Sequence, residues 1–308
     1  MTAPRIEERG EVLWLDNGLL RLGLAPQLGG RLLSLAVPGG PELLWRNDEL
    51  LTDGLETRAG HHPHGGRLGD WLNYGGDKTW PAPQGWSGPG EWAGPPDPVL
   101  DSGRYQAITA VTGDAVTVTL TSGDDPRTGL RLSRKFVLER GKRGYTLELT
   151  ARNTADRPVR WALWNVTQLA ADGPGHAEVA GPPEVVGLLA GTGFPAWEPA
   201  GDRVRVPHQD VVGKLGFPAA TGLLTHVGAG GTLTQAFAVA EDAEYPDQGS
   251  RVEIWTECPL PTPLAELGDL DPPARIVEIE VLGPLTTLAP GEETGLTIDC
   301  TVEAEGAR

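Results

Sequence analysis

Three groups of residues in this chain have the types and spacing to do chemistry. The first is the segment 71–92, Trp-Leu-Asn-Tyr-Gly-Gly-Asp-Lys-Thr-Trp-Pro-Ala-Pro-Gln-Gly-Trp-Ser-Gly-Pro-Gly-Glu-Trp, which gathers Trp71, Trp80, Trp86 and Trp92, four of the ten Trp, within 22 residues. Its Gly and Pro residues exclude a helix and disfavour a continuous strand, so the segment reads as an irregular loop. Indole faces on such a loop suit flat, hydroxylated ligands such as sugars. A ring's C–H side stacks on the indole, while Asn73, Asp77, Lys78 and Gln84 bond its hydroxyls. The alternative is a loop that packs its own indoles over a sheet.

The second group is acidic. Glu278 and Glu280 alternate with Val277, Ile279 and Val281, so they share one face of a strand, either a solvated outer face or a pair of site carboxylates. Glu253, Trp255 and Glu257 make a similar face, an indole between two acids. That pattern suits sugar recognition, and equally an edge-strand Trp packed under a loop. A sugar hydrolase would need two carboxylates about 5–10 Å apart, which Glu278 could form with Glu257 or Asp77.

The third group is basic. His208 lies in Val206-Pro207-His208-Gln209-Asp210 and either donates a proton from a loop or is simply exposed. His61-His62-Pro63-His64 could hold a metal, but His residues flanking a Pro diverge and no carboxylate stands at a ligand spacing, so no metal is expected. Only four of the 25 basic residues are Lys. Lys78 lies within the Trp segment, in Gly-Gly-Asp-Lys, and Lys214 in Gly-Lys-Leu-Gly, each either a compact point charge for a ligand or half of a structural ion pair. There is no Gly-rich nucleotide loop, serine elbow or helical zinc motif.

The elements that must position these groups read as strands. Short apolar runs at 12–15, 19–24 and 31–37 are punctuated by Asp16-Asn17-Gly18, Gly29-Gly30 and Pro38-Gly39-Gly40, which is hairpin grammar. Alternation resumes at 105–111, 115–121, 130–138, 145–151 and 159–168. It returns at 204–206, 233–239, 252–257, 275–282 and 296–302. No window shows sustained helical periodicity, and many short strands with turn signals between them predict a sandwich or barrel. Segment 159–168 is apolar on both faces, with Val159, Trp161 and Leu163 opposed to Ala162, Trp164 and Val166, so it belongs in the middle of a large stacked sheet. The Pro/Gly-rich stretches 81–98 and 172–201 read as long loops, where function commonly sits. No linker or internal repeat divides the chain.

At this level the chain resembles the galactose mutarotase (aldose 1-epimerase) superfamily, in a bacterial branch of it. The resemblance rests on Asp16-Asn17-Gly18…Gly29-Gly30-Arg31-Leu32, which is similar to the family's opening hairpin. It rests also on Asn73-Tyr74-Gly75-Gly76-Asp77-Lys78-Thr79-Trp80, similar to the sugar-site loop, and on Leu288-Ala289-Pro290-Gly291-Glu292 before the last strand. It implies a β-supersandwich binding a pyranose on its concave face. Glu278 would be the base that takes the anomeric proton, and a second group would protonate the ring oxygen. Two departures are plain. Tyr74 stands where the family has a His before Gly-Gly, and Trp164-Asn165-Val166-Thr167-Gln168 stands where its acid His should be. His208 is the nearest replacement acid.

Composition sets the remaining bounds. A net charge of −17 argues against nucleic acid and anionic membranes. Cys258 and Cys300 have no metal or disulfide-framework spacing, and no signal core or spanning run is visible, so a soluble, cytoplasmic protein is expected. The expectation is one all-β domain over 1–308, a galactose mutarotase-like supersandwich with very little helix. It would bind a small-molecule carbohydrate without a cofactor, as an aldose-epimerase-like isomerase, as a sugar sensor lacking the acid, or as a lyase or glycosidase. Trp80 and Trp86 would be stacking walls. Asn73, Tyr74, Asp77, Lys78, Gln84 and Gln168 would be polar contacts, with Trp164, Lys214, Glu253, Trp255, Glu257 and Glu280 completing the site, and Trp71 and Trp92 left to packing.

Overall fold

The computed structural model describes residues 2–85, 88 and 90–304. Among these residues the chain is two antiparallel sheets, of 11 and 10 strands, packed face to face. Helix is confined to the single turns Leu68–Asp70, Pro246–Gly249 and Ala265–Leu267.

The smaller sheet follows the period-two rule closely. In Ala115–Thr121, Leu130–Glu139 and Glu293–Glu303, alternate residues such as Val116, Val118, Leu132, Phe136, Leu138, Ile298 and Val302 are buried against the other sheet, and their neighbours face outward. The larger sheet differs at its centre. Asp77–Ala82, Val159–Ala170, Ile276–Leu282, Val252–Glu257 and Gly213–Phe217 lie side by side in that order, and the middle three are buried on both faces along almost their whole length. One face packs on the smaller sheet. The other is roofed by the turns around Leu68, Asp247 and Leu267 and by the connection through Gln84 and Pro95.

The strands depart from the sequence pattern in two places. The Trp segment is not an irregular loop throughout, because Asp77–Ala82 is a strand registered along Val159–Ala170 from Thr167↔Asp77 to Ala162↔Ala82. Pro81 fits because Leu163, its partner across the ladder, points its carbonyl the other way, to the N–H of Gly283 at 2.8 Å. Pro81 therefore sits at a non-hydrogen-bonded pair, where no ladder donor is required. Likewise 172–201 is not one loop. It contains His176–Ala180, Val186–Ala190 and Glu198–Ala200, too short and too Gly/Pro-interrupted for alternation to register.

Entry into Asp77–Ala82 depends on two glycines. Gly75 and Gly76 have φ of +86° and +76°, and they bring Gly76 into hydrogen bonds with Trp45 and Gln168. A Cβ on Gly75 would lie 2.4 Å from the Trp45 carbonyl oxygen. Gly75→Ala is expected to cost about 2 kcal/mol or more, since the left-handed conformation alone costs about 1–2 kcal/mol for an L-residue. A urea denaturation curve would read this directly.

The two sheets are tied by a buried polar network. Arg134, on Leu130–Glu139 of the smaller sheet, pairs with the Asp77 carboxylate and donates to the carbonyls of Gly30 and Asp77. The other Asp77 oxygen accepts from Asn165 Nδ2 at 2.7 Å and Thr167 Oγ1 at 2.6 Å. Gln235, again from the smaller sheet, donates to Thr167 Oγ1 at 2.9 Å. Cys258 and Cys300 are both free and buried.

Candidate functional site

Because side chains alternate along a strand, a register fixes which residues share a face. Across the larger sheet, Gln168 faces Glu278, Glu278 faces Trp255, and Trp255 faces Lys214. One row along, Lys78 faces Val166, Val166 faces Glu280, and Glu280 faces Glu253. Trp80 pairs with Trp164 in the next row. All of these residues therefore project from the same outer face.

That face forms the floor of a cavity of about 190 Å³, over ten times the ~10–15 Å³ that one water needs. Trp80, Trp164, Lys214, Glu253, Trp255, Glu257 and Glu278 line it from the strands, and Gln84, Trp71 and Asp247 from the roof. Leu68, Leu188, Leu189, Leu267 and Leu270 supply an apolar rim. The indoles form a connected set, with Trp80 edge-on to Trp71 and Trp164 at centroid distances of 5.9 and 5.3 Å.

Behind this surface the acids and bases are paired. Lys78 is buried, with Nζ 3.4 Å from Glu278 Oε1 and 5.0 Å from the Trp80 ring centroid. Burial outweighs the attraction of Glu278 and lowers the Lys78 pKa to about 8. Glu278 Oε1 also accepts from Gln168 Nε2 at 2.6 Å. Lys214 Nζ lies 2.9 Å from both Glu253 Oε2 and Glu280 Oε2, and 4.4 Å from the Trp164 ring centroid. Burial opposes its charge, but the two carboxylates prevail and hold its pKa above the ordinary lysine value. Glu280 also accepts from Trp164 Nε1 at 2.6 Å, so it fixes both the indole and the lysine.

Glu257 is placed differently. Its Oε2 accepts from Trp255 Nε1 at 3.0 Å, and its Oε1 has no partner among the described residues. Burial first, and the charge of Glu278 second, push its pKa up to about 8, so it carries a proton at neutral pH. Burial also raises Glu253, Glu280 and Asp247. Asp247 and its neighbour Gln248 have φ of 50° and 62°, an uncommon backbone for non-glycine residues and one often found at ligand clamps.

Of the residues singled out in the sequence, the structure brings together Lys78, Trp80, Gln84, Trp164, Gln168, Lys214, Glu253, Trp255, Glu257, Glu278 and Glu280. Four others stand elsewhere. Asp77 points to the opposite face of its strand, into the network between the sheets, because it alternates with Lys78. Tyr74 is buried in a separate apolar cluster with Trp14, Leu28, Leu33 and Leu55. Asn73 Oδ1 accepts from the Gly75 N–H and shapes that turn. It also borders a hollow of about 160 Å³ that shares Leu68, Trp71, Glu257 and Leu270 with the cavity. His208 is outside the cavity lining, with Nδ1 near the Gly173 carbonyl and Nε2 3.0 Å from Nε2 of His226 on the smaller sheet. Trp86 lies outside the described residues.

His61 and His64 contact backbone carbonyls of Ser102, His62 and Asp70. Among the described residues no group of three or more His, Cys, Asp or Glu could hold a metal ion, and no helix is long and apolar enough to cross a membrane. Two residues were undervalued in the sequence. Trp71, assigned to packing, lines the cavity and donates Nε1 to Asp101 at 3.0 Å. Asp247 had no readable signal, since an acid in a Pro-containing turn is usually solvated. Trp92 does pack, 2% exposed against Trp80, with Nε1 donating to Asp97 at 2.8 Å.

Solved structures with the same architecture are numerous but distant. A galactose mutarotase-like protein from Lactobacillus casei superposes with a TM-score of 0.58 at 14% identity, covering 95% of this chain and all of that one. A galactose mutarotase related enzyme from Lactobacillus acidophilus gives 0.50 at 11% identity, covering 96% and 99%. A TPR-domain containing protein from Parabacteroides distasonis gives 0.62 at 15% identity, with 96% of this chain matched to 48% of that one, so the chain spans about half its length. These likenesses establish the galactose mutarotase-like fold. No curated protein matches the chain. A family model covers residues 11–186, which includes Asp77–Ala82 and Val159–Ala170 but stops before the strands that carry Lys214, Glu253, Glu257 and Glu278. On that match the chain belongs to the family described as domain of unknown function DUF4380.

Proposed function

We propose that the cavity binds a carbohydrate and that Glu278 and Glu257 serve it as base and acid in an aldose-epimerase-like isomerisation. The observation that carries this reading is the convergence of indoles and carboxyls from neighbouring strands on one roofed face. Trp71, Trp80 and Trp164 offer stacking surfaces, and Gln84, Lys214 and the carboxyls offer directional bonds to hydroxyls. The shared fold adds support, since some of its bearers are named as mutarotase-like.

The chemistry needs two groups in opposite protonation states. Glu278 accepts from Gln168 and has Lys78 beside it, so its carboxylate is held in place as a base. Glu257 keeps its proton at neutral pH and has an oxygen with no partner among the described residues. The two are diagonal neighbours across the ladder, Glu257 being two residues on from the partner of Glu278. Diagonal positions lie about 7–8 Å apart, enough to bracket a sugar ring. Glu278 would take the anomeric proton while Glu257 gives one to the ring oxygen. The ring opens, and the aldehyde re-closes on either face. Glu257 thereby fills the role for which the sequence offered only His208.

Titrating the protein with free aldoses is expected to quench or shift its Trp emission saturably, because Trp71, Trp80 and Trp164 meet in the cavity. In parallel, NMR of freshly dissolved α-anomers should show exchange accelerated by about 10²-fold or more, the usual contribution of positioned acid–base groups. Saturable quenching without acceleration would leave a sugar binder and remove the isomerase. Neither response from any aldose tested would sink the carbohydrate reading.

A further inference from the structure

Charge around the cavity is unevenly matched. Lys78 answers Glu278, and Lys214 answers Glu253 and Glu280. Glu257 and Asp247 have no ion-pair partner among the described residues, yet both border the cavity, and Glu257 is 3% exposed with Oε1 unpartnered. Lys78 already lies over the rings of Trp71 and Trp80 and Lys214 over that of Trp164, which leaves Trp255, bonded to Glu257 through Nε1, to offer its π-face to a further cation. The chain as a whole carries −17, which adds an attractive field for cations and a repulsive one for anions.

We propose that the sugar this cavity selects carries a protonated amino group, an amino sugar whose ammonium lies against Glu257 and the Trp255 indole. The inference rests on the carbohydrate reading above and narrows it. A sugar phosphate or uronic acid would meet carboxyls with no lysine free of a carboxylate partner. A neutral hexose satisfies the walls but leaves Glu257 holding its own proton. An ammonium takes that proton's place, making charge-assisted hydrogen bonds in a site largely closed to water. The titratable groups bearing on Glu257 are Glu278 across the ladder, Lys78 beyond it, Cys258 next in the chain, and Asp271 across the adjoining hollow. None of them supplies a cation in contact with it. Binding therefore releases a proton from Glu257 as the ammonium enters, so an amino sugar is held as a ligand, and the acid step that needs this proton is reserved for neutral aldoses.

Calorimetry on the full chain below neutral pH tests this with D-glucosamine, D-galactosamine and D-mannosamine, each against its parent hexose and its N-acetyl derivative. At least one amine should bind about tenfold more tightly than both neutral counterparts. Its heat should change with the ionisation enthalpy of the buffer, reporting the released proton. Glu257→Gln should bring that amine down to the affinity of its parent, and the wild-type comparison decides the matter even if this variant does not fold. Equal affinity for amine and parent, or tighter binding of a hexose phosphate, overturns the inference and leaves the carbohydrate reading standing. Absence of binding by every sugar overturns both. A sugar-free diamine such as putrescine binding alone would retain the cation and discard the sugar.

Discussion

Asp77→Ala is expected to destabilise the protein by about 3–5 kcal/mol, the range found when one partner is removed from a buried ion pair. Asp77 and Arg134 are both fully buried. Deleting the carboxylate leaves the guanidinium charged in the interior, because arginine does not give up its proton. It also takes the acceptor from Asn165 Nδ2 and Thr167 Oγ1, and each buried donor left unmade costs about 1–3 kcal/mol. Asp77→Asn should cost less, since an amide oxygen can still accept while the charge is lost. The double variant Asp77→Ala/Arg134→Met should recover part of the loss, because no charge then remains unpaired. Urea denaturation of the set would check the ordering. Were Asp77→Ala as stable as the parent, the network would not be what ties the sheets at that point.

The second large effect concerns chemistry. Glu278→Gln should lower anomeric exchange by about 10²–10⁴-fold while leaving sugar-dependent Trp quenching in place. The amide can still occupy the space beside Gln168, but it cannot take a proton. Lys78 loses its anion in this variant. Its pKa is already down to about 8 through burial, so it can shed its proton and need not remain a buried unpaired cation. Glu257→Gln should lower the rate as well and should also change its pH dependence. Glu257 acts as acid in its protonated form, which is dominant below its pKa of about 8 and is lost as pH rises through that value. Wild-type exchange should therefore fall on the alkaline side of about 8, and that limb should vanish in Glu257→Gln. Full exchange activity in Glu278→Gln would remove Glu278 from the role of base.

The fold was legible because most strands obey an alternation that hydrophobicity alone reveals. Segments 115–121 and 130–138 are examples, with every second residue buried. Segment 159–168 is apolar on both faces, as a strand in the middle of the larger sheet must be. For Glu278 and Glu280 the sequence established a common face but not whether that face meets solvent. The answer depends on a roof contributed by residues near 68, 84, 247 and 267, far away in sequence. The same limit explains the errors over Asp77 and His208. Choosing between Asp77 and Lys78 requires knowing which side of a strand carries the cavity, and the Gly and Pro around them hid the strand itself. His208 follows a strand that pairs within the smaller sheet, which no local pattern announces.

The strand Asp77–Ala82 has a consequence for how this protein can change over evolutionary time. Its odd positions anchor the join between the sheets and its even positions furnish the cavity, so an inserted or deleted residue would exchange the two sets at once. Lys78 and Trp80 would be driven inward while Asp77 abandoned Arg134. Drift of ligand preference is accordingly confined to substitutions on the cavity face and to the roof turns, where Gln84, Pro95, Asp247 and Leu267 can be replaced or their segments lengthened without disturbing the ladder. Relatives that differ in ligand should differ in length near those turns and keep a constant count of residues from Gly75 to Ala82.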